Sequence, residues 1–117
     1  MSATRIRVAS RDNPLLVRVR RLNATPDAYR QLGLVWLEGE HLVRAALARG
    51  WPLLELLVPA RCEGDAALQS LWPHAPKVRV VDDALWAGIG SLSSKAAVAA
   101  LVAWPGEVAA LKGRRSV

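Results

Sequence analysis

The chain has 117 residues, 52% of them hydrophobic and 22% charged, with a formal net charge of +6. That length suits one domain around one core, and that composition excludes a disordered or low-complexity chain. No run reaches the roughly 18 uninterrupted apolar residues of a membrane span, since the most apolar stretch, Ala96 to Leu111, is cut by Pro105, Gly106 and Glu107.

The charged start MSATRIRVAS is followed by no apolar run, so no secretory leader is expected and the expected compartment is the cytoplasm. Cys62 is the single cysteine. It has no partner for an internal disulfide and no cluster of ligands for zinc, and reads as a small apolar residue.

The charge is unevenly placed. Residues 1–30 hold seven arginines (Arg5, Arg7, Arg11, Arg18, Arg20, Arg21, Arg30) against Asp12 and Asp27, a balance of +5, while residues 31–111 sum to −2 and residues 112–117 to +3. Arginine pairs with phosphate through parallel donors and is weakly hydrated, so such an end points to a polyanion contact; a solvated face that only aids solubility is the alternative.

The first clear element is a helix over about Pro14 to Asn23, because Asn13 is a favoured N-cap and proline suits the first helical position. Leu15, Leu16, Val19 and Leu22 face the core, and Arg18, Arg20 and Arg21 share an exposed arc. Thr25-Pro26-Asp27 opens a short turn carrying Tyr29 and Arg30, which Gly33 ends.

Leu34 to Leu37 reads as a buried strand. After Glu38-Gly39 the spacing becomes helical, with Leu42, Val43, Ala46 and Leu47 on one face and Glu40 four residues before Arg44, until Gly50 stops it. Further strands are expected at Pro52 to Pro59, Lys77 to Val81 and about Val98 to Ala103, with a short helix from Gly64 to Trp72. A last helix capped by Asp82 or Asp83 carries Leu85, Trp86 and Ile89, and a polar loop follows at Ser91 to Lys95.

The strands are near-continuous apolar runs, which argues for an α/β layer structure whose sheet is covered on both faces. One domain is expected over residues 1–105. Residues 106–117, ending KGRRSV, read as a linker or cut end.

Three segments together resemble the N-terminal substrate-binding domain of SpoU-type (TrmH-like) RNA 2'-O-ribose methyltransferases. They are Val8-Ala9-Ser10-Arg11-Asp12-Asn13-Pro14 with the helix ending Arg20-Arg21-Leu22; Arg30-Gln31-Leu32-Gly33 through Leu34-Val35-Trp36-Leu37 into Glu38-Gly39-Glu40-His41-Leu42-Val43-Arg44; and Leu92-Ser93-Ser94 with Val98-Ala99-Ala100-Leu101-Val102. The middle segment is the most specific. Val17 departs from the family's usual Lys three residues past its proline, and Ala97 from a usual Gly.

The resemblance implies a three-layer αβα sandwich with a roughly four-stranded mixed sheet, like that of kink-turn-binding ribosomal proteins. It also implies an RNA substrate-recognition role, in rRNA or tRNA modification, without catalysis in this chain. The family's catalytic half is a knotted domain with an Asn-x-Gly-x-x-x-Arg motif and an S-adenosylmethionine pocket, and it has no counterpart among these residues. Hence no cofactor is expected in this chain, S-adenosylmethionine is expected in the catalytic domain that residues 106–117 would lead to, and the isolated piece is expected to be a monomer of a homodimeric parent.

The candidate RNA contacts are Arg11, Asn13, Arg18, Arg20, Arg21, Arg30, Gly39, His41 and Arg44. The turn at Gly39 aims helix amides, and the positive end of the helix dipole, at a phosphate. His41 and His74 lack the companions of a metal or acid–base pair, adjacent Asp82 and Asp83 point apart as caps do, and Ser93-Ser94-Lys95 lacks an oxyanion device.

The five tryptophans (Trp36, Trp51, Trp72, Trp86, Trp104) are expected in or beside the core, with Trp51 the expected exception. Two rival readings are a freestanding ribosomal-type RNA-binding protein and a protein-interaction or small enzyme domain whose arginines only solubilise. Coding sequence for a knotted domain beyond Val117 would exclude the first, and salt-sensitive RNA binding would exclude the second.

Overall fold

The computed structural model describes residues 4–89 and 96–104. Within them the strands are β1 (Thr4–Val8), β2 (Leu34–Glu38), β3 (Leu53–Pro59), β4 (Lys77–Val81) and β5 (Ala99–Ala103). The helices are α1 (Pro14–Ala24), α2 (Ala28–Leu32), α3 (Glu40–Ala48), α4 (Ala66–Gln69) and α5 (Asp83–Trp86), with 3-10 turns at Ala60–Cys62 and Trp72–His74.

The strands form one sheet in the order β1, β4, β3, β5, β2. β1, β4 and β3 are parallel, and β5 runs antiparallel to both β3 and β2. β1, β2, β3 and β4 therefore all end at one edge of the sheet, called the tip edge below, and β5 starts there.

Two clusters of buried side chains cover the two faces. On one, Val43 of α3 and Leu68 of α4 pack on Leu56, Val58, Val78, Val80, Ala100 and Val102. On the other, Leu15, Leu16 and Val19 of α1 and Trp86 of α5 pack on Val8, Leu34, Leu57, Val81, Ala99 and Leu101. Burying a Leu or Val side chain fully contributes roughly 1.5–3 kcal/mol, so these two layers supply the main force holding helices to sheet. The architecture is the expected αβα sandwich.

The sheet has five strands where four were expected, because β1 carries arginine at every second position. Ile6 and Val8 point to the α1 side while Arg5 and Arg7 point to the α4 side, an alternation typical of an edge strand with charge on its open face. Arg5 pairs with Glu63 and lies 5.3 Å from the ring centre of Trp72. Arg7 pairs with Asp82 at 2.8 Å.

That last contact corrects the expected cap. Asp82 precedes α5 but makes no side-chain cap bond, because its carboxylate is held by Arg7; Asp83 pairs with Arg61 and accepts the Arg61 amide at 3.0 Å. The helix expected over Gly64 to Trp72 is shorter: Asp65 caps α4 by accepting from Ala67 and Leu68, and Pro73 sits in a separate 3-10 turn. The expected loop at Ser91 to Lys95 and the linker at 106–117 lie outside the described residues.

Candidate nucleic-acid interface

The site begins where β1 meets α1. The Asn13 amide donates to the Ser10 carbonyl at 3.1 Å, and Asn13 Oδ1 accepts the Leu15 amide at 2.9 Å, so Asn13 caps α1. Arg20, two turns along, donates to the Arg11 carbonyl at 2.7 Å and fixes this entry loop. Arg11 and Arg20 together line a notch of about 120 Å³ whose other walls are Ala84, Leu85 and Gly88.

The remaining α1 arginines turn elsewhere. Arg18 and Arg21, three positions apart, share the opposite flank of the helix from Arg20, which lies about 200° round from Arg18. Arg21 donates to Gln31 of α2 at 2.9 Å. Val17, 48% exposed, stands on the outermost strip between these flanks.

No acidic residue occurs within α1. Among the described residues no carboxylate pairs with Arg11, Arg18, Arg20 or Arg21, whereas Arg5, Arg7, Arg44, Arg61 and Arg79 each pair with one.

Gly39 occupies the tip of β2 with φ 102 and ψ 151, a backbone state closed to residues with a Cβ. Its amide donates to the Val98 carbonyl at 2.8 Å and is not available to a ligand. The first turn of α3 has no side-chain cap, but Glu40 supplies its own negative charge at the positive helix end. His41 is exposed beside it.

Arg44 bonds Glu40 at 2.7 Å and the Ala67 carbonyl at 3.1 Å, which ties α3 to α4. This arginine is a brace between two helices.

The nine expected contacts thus fall into separate groups. Arg11, Asn13 and Arg20 meet at the entry of α1, and Arg18 stands on the helix's other flank. Arg21 and Arg30 lie at the far end of α1, where Arg30 sits 5.7 Å from the ring centre of Tyr29.

Gly39 and His41 share the tip edge with Arg11 but lie at the other side of the sheet, four strand spacings or roughly 19 Å away. Arg44 is on the opposite face.

Two groups of residues escaped the sequence reading. Arg5 and Arg7 had a signal in their alternation with Ile6 and Val8. Tyr29, Trp36 and Trp104, which draw together at the far end of α1, had none, because Trp104 is distant in the chain from the other two and each ring reads as core edge. Trp51 is half-buried against the α3 layer like the other core-edge rings.

Among the described residues no three His, Cys, Asp or Glu side chains converge as a metal site, and no helix is long and apolar enough to cross a membrane.

No protein-family model matches the chain, and no curated protein does. Solved structures do. An RNA 2'-O ribose methyltransferase superposes with a TM-score of 0.72 at 20% identity, covering 87% of this chain and 39% of that one.

An AdoMet-bound rRNA methyltransferase from Sinorhizobium meliloti gives 0.64 at 20% identity, covering 85% and 36%. The SpoU methyltransferase AviRb from Streptomyces viridochromogenes, in complex with AdoMet, gives 0.68 at 18% identity, covering 81% and 37%. These likenesses establish the α/β fold, and the chain spans well under half the length of each.

Proposed function

We propose that this chain is the RNA-docking domain of a SpoU-type 2'-O-ribose methyltransferase, acting on rRNA or tRNA in the cytoplasm. The observation that carries the reading is the state of the arginines. Those of α1 and its entry loop are left without carboxylate partners, on a fold shared with RNA methyltransferases, while five others are neutralised locally. Unpaired guanidinium groups along a helix present fork-shaped donors to a ribose–phosphate strand, an arrangement that positions RNA and reads little of its sequence.

The methyl transfer belongs to the part of such enzymes that this chain does not span. S-adenosylmethionine is assigned to that part as well. The chain's share of the chemistry is to hold the RNA so that one ribose reaches a separate active site.

Titrating the 117-residue protein with folded rRNA or tRNA transcripts between 50 and 300 mM salt tests this reading. About four phosphate contacts give a log–log salt slope near −3. Affinity that is flat with salt, or no binding at low salt, would remove the proposal.

A further inference from the structure

At the end of the sheet away from the tip edge, where α1 stops and β2 begins, Leu22, Asn23, Tyr29, Val35, Trp36 and Trp104 line a shallow hollow of about 390 Å³. The rings of Tyr29 and Trp104 meet edge to face, with centroids 4.8 Å apart and planes at 76°. The Arg30 guanidinium rests near the Tyr29 ring, and Arg21 reaches from α1 to Gln31 of α2, two residues along the chain from Tyr29.

Two polar groups add to this. Asn23 donates its amide nitrogen to the Ile89 carbonyl at 2.8 Å, which leaves its oxygen as an acceptor in the wall. The indole nitrogen of Trp36 is buried and has no hydrogen-bond partner among the described residues.

We infer that this hollow takes one unpaired nucleobase of the bound RNA, stacked against Tyr29 or Trp104, with Arg21 and Arg30 facing the phosphates on either side. The inference rests on the RNA-docking reading and deepens it. A base matches more of this lining than an apolar peptide side chain does. It brings a flat π face to the rings and hydrogen-bonding edges to Asn23, and its flanking phosphates complement the two arginines.

Position supports the same occupant. α1 has 11 residues, about 16 Å of helix, and runs from the Arg11–Arg20 notch at one end to this hollow at the other. A strand lying along the unpaired arginines therefore arrives at the rings. The stacking contact would give preference for RNA with a flipped-out or loop base over fully paired RNA.

The test uses the 117-residue protein and a single-stranded adenosine hexamer carrying a central 2-aminopurine, at 50 mM salt. Binding should quench the 2-aminopurine. Tyr29→Ala or Trp104→Ala should restore the emission and weaken binding about five- to hundredfold, whereas Tyr29→Phe, which keeps the ring, should do neither.

Circular dichroism separates these losses from unfolding. Should the alanine variants melt, crosslinking of a 4-thiouridine hexamer to wild-type protein, mapped by mass spectrometry, reads the same contact without substitution. Crosslinks at Tyr29 or Trp104 support the site, and crosslinks confined elsewhere overturn it. Salt-sensitive RNA binding with no quench, or quench unchanged in the alanine variants, overturns the base site and leaves RNA docking standing. Absence of any salt-sensitive RNA binding overturns both.

Discussion

The two helical layers hold most of their arginines in opposite ways, Arg49 at the end of α3 being exposed and without an ion pair among the described residues. On the α3–α4 face Arg44 is fastened to Glu40, Ala67 and Ser70, and at the nearby β1 edge Arg5 is fastened to Glu63. On the α1 face Arg11, Arg18, Arg20 and Arg21 meet no carboxylate among the described residues, and the bonds that Arg20 and Arg21 make go to a carbonyl and an amide, which leave their charge intact. A count of arginines cannot tell these situations apart. Only the position of the acids does, and it leaves α1 and its entry loop with four cations that no acid among the described residues neutralises.

The largest expected effect breaks this comparison directly. Replacing Arg11, Arg18 and Arg21 together by Gln should weaken RNA binding about a hundredfold at 0.1 M salt and flatten the log–log salt slope by about 2, at roughly 0.7 counterions and fivefold in affinity per contact. Replacing Arg5, Arg7 and Arg44 removes the same formal charge and should change affinity less than threefold. Equal losses from the two triple variants would mean that net charge, and not the α1 face, binds RNA.

A second effect is on stability alone. Arg79 and Glu55 form an ion pair between β4 and β3, each side chain only 16% exposed. Their strand neighbours place both on the α1 side of the sheet, Glu55 opposite Leu101 and Arg79 opposite Ile6. Glu55→Gln leaves a guanidinium without its counter-charge and should destabilise by about 2 kcal/mol, less than the ~3–5 kcal/mol of a fully sealed pair. RNA affinity at a temperature where the variant is folded should be unchanged, read by denaturant melts and by titration.

Asn13→Ala comes next, at about 1 kcal/mol of stability for a lost N-cap. Asn13 was expected as an RNA contact, and its oxygen is already committed to the Leu15 amide. If the variant loses RNA affinity beyond what its stability explains, Asn13 touches RNA as well as capping.

Much of the fold was legible because its signals are local. Asn13-Pro14, Gly33 and the apolar runs of β2, β3 and β5 mark their own boundaries, and β4 starts and ends at the expected residues. β1 was hidden because arginine at alternate positions breaks the apolar run that marks β2, β3 and β5.

The candidate site was legible only in part. Residue spacing shows that Arg18, Arg20 and Arg21 lie outside the core, but not that Arg20 turns to α5 while Arg21 turns to α2. The loss of Arg44 to Glu40 was foreshadowed by their four-residue spacing, and its bond to the Ala67 carbonyl was not, because that contact joins two helices distant in sequence. The same reason hides the Tyr29–Trp104 pair, whose members stand 75 positions apart.

The smallest expected effect sharpens the comparison by addition. Val17 stands where the resembled family has lysine, 48% exposed between Arg20 on one flank and Arg18 and Arg21 on the other. Val17→Lys introduces a cation on a strip that holds no acid, and lysine has the better helix propensity, so stability should stay within about 0.5 kcal/mol. If RNA lies along α1, the new ammonium gains one phosphate: affinity should rise about threefold to fivefold at 0.1 M salt and the slope should steepen by about 0.7. A gain in the parent protein that disappears when Arg18 and Arg21 are Gln would show the three side chains acting on one strand. A Val17→Lys protein that binds no more tightly would mean that phosphates pass the outer strip of α1 at a distance, and would move the contact to the notch between Arg11 and Arg20.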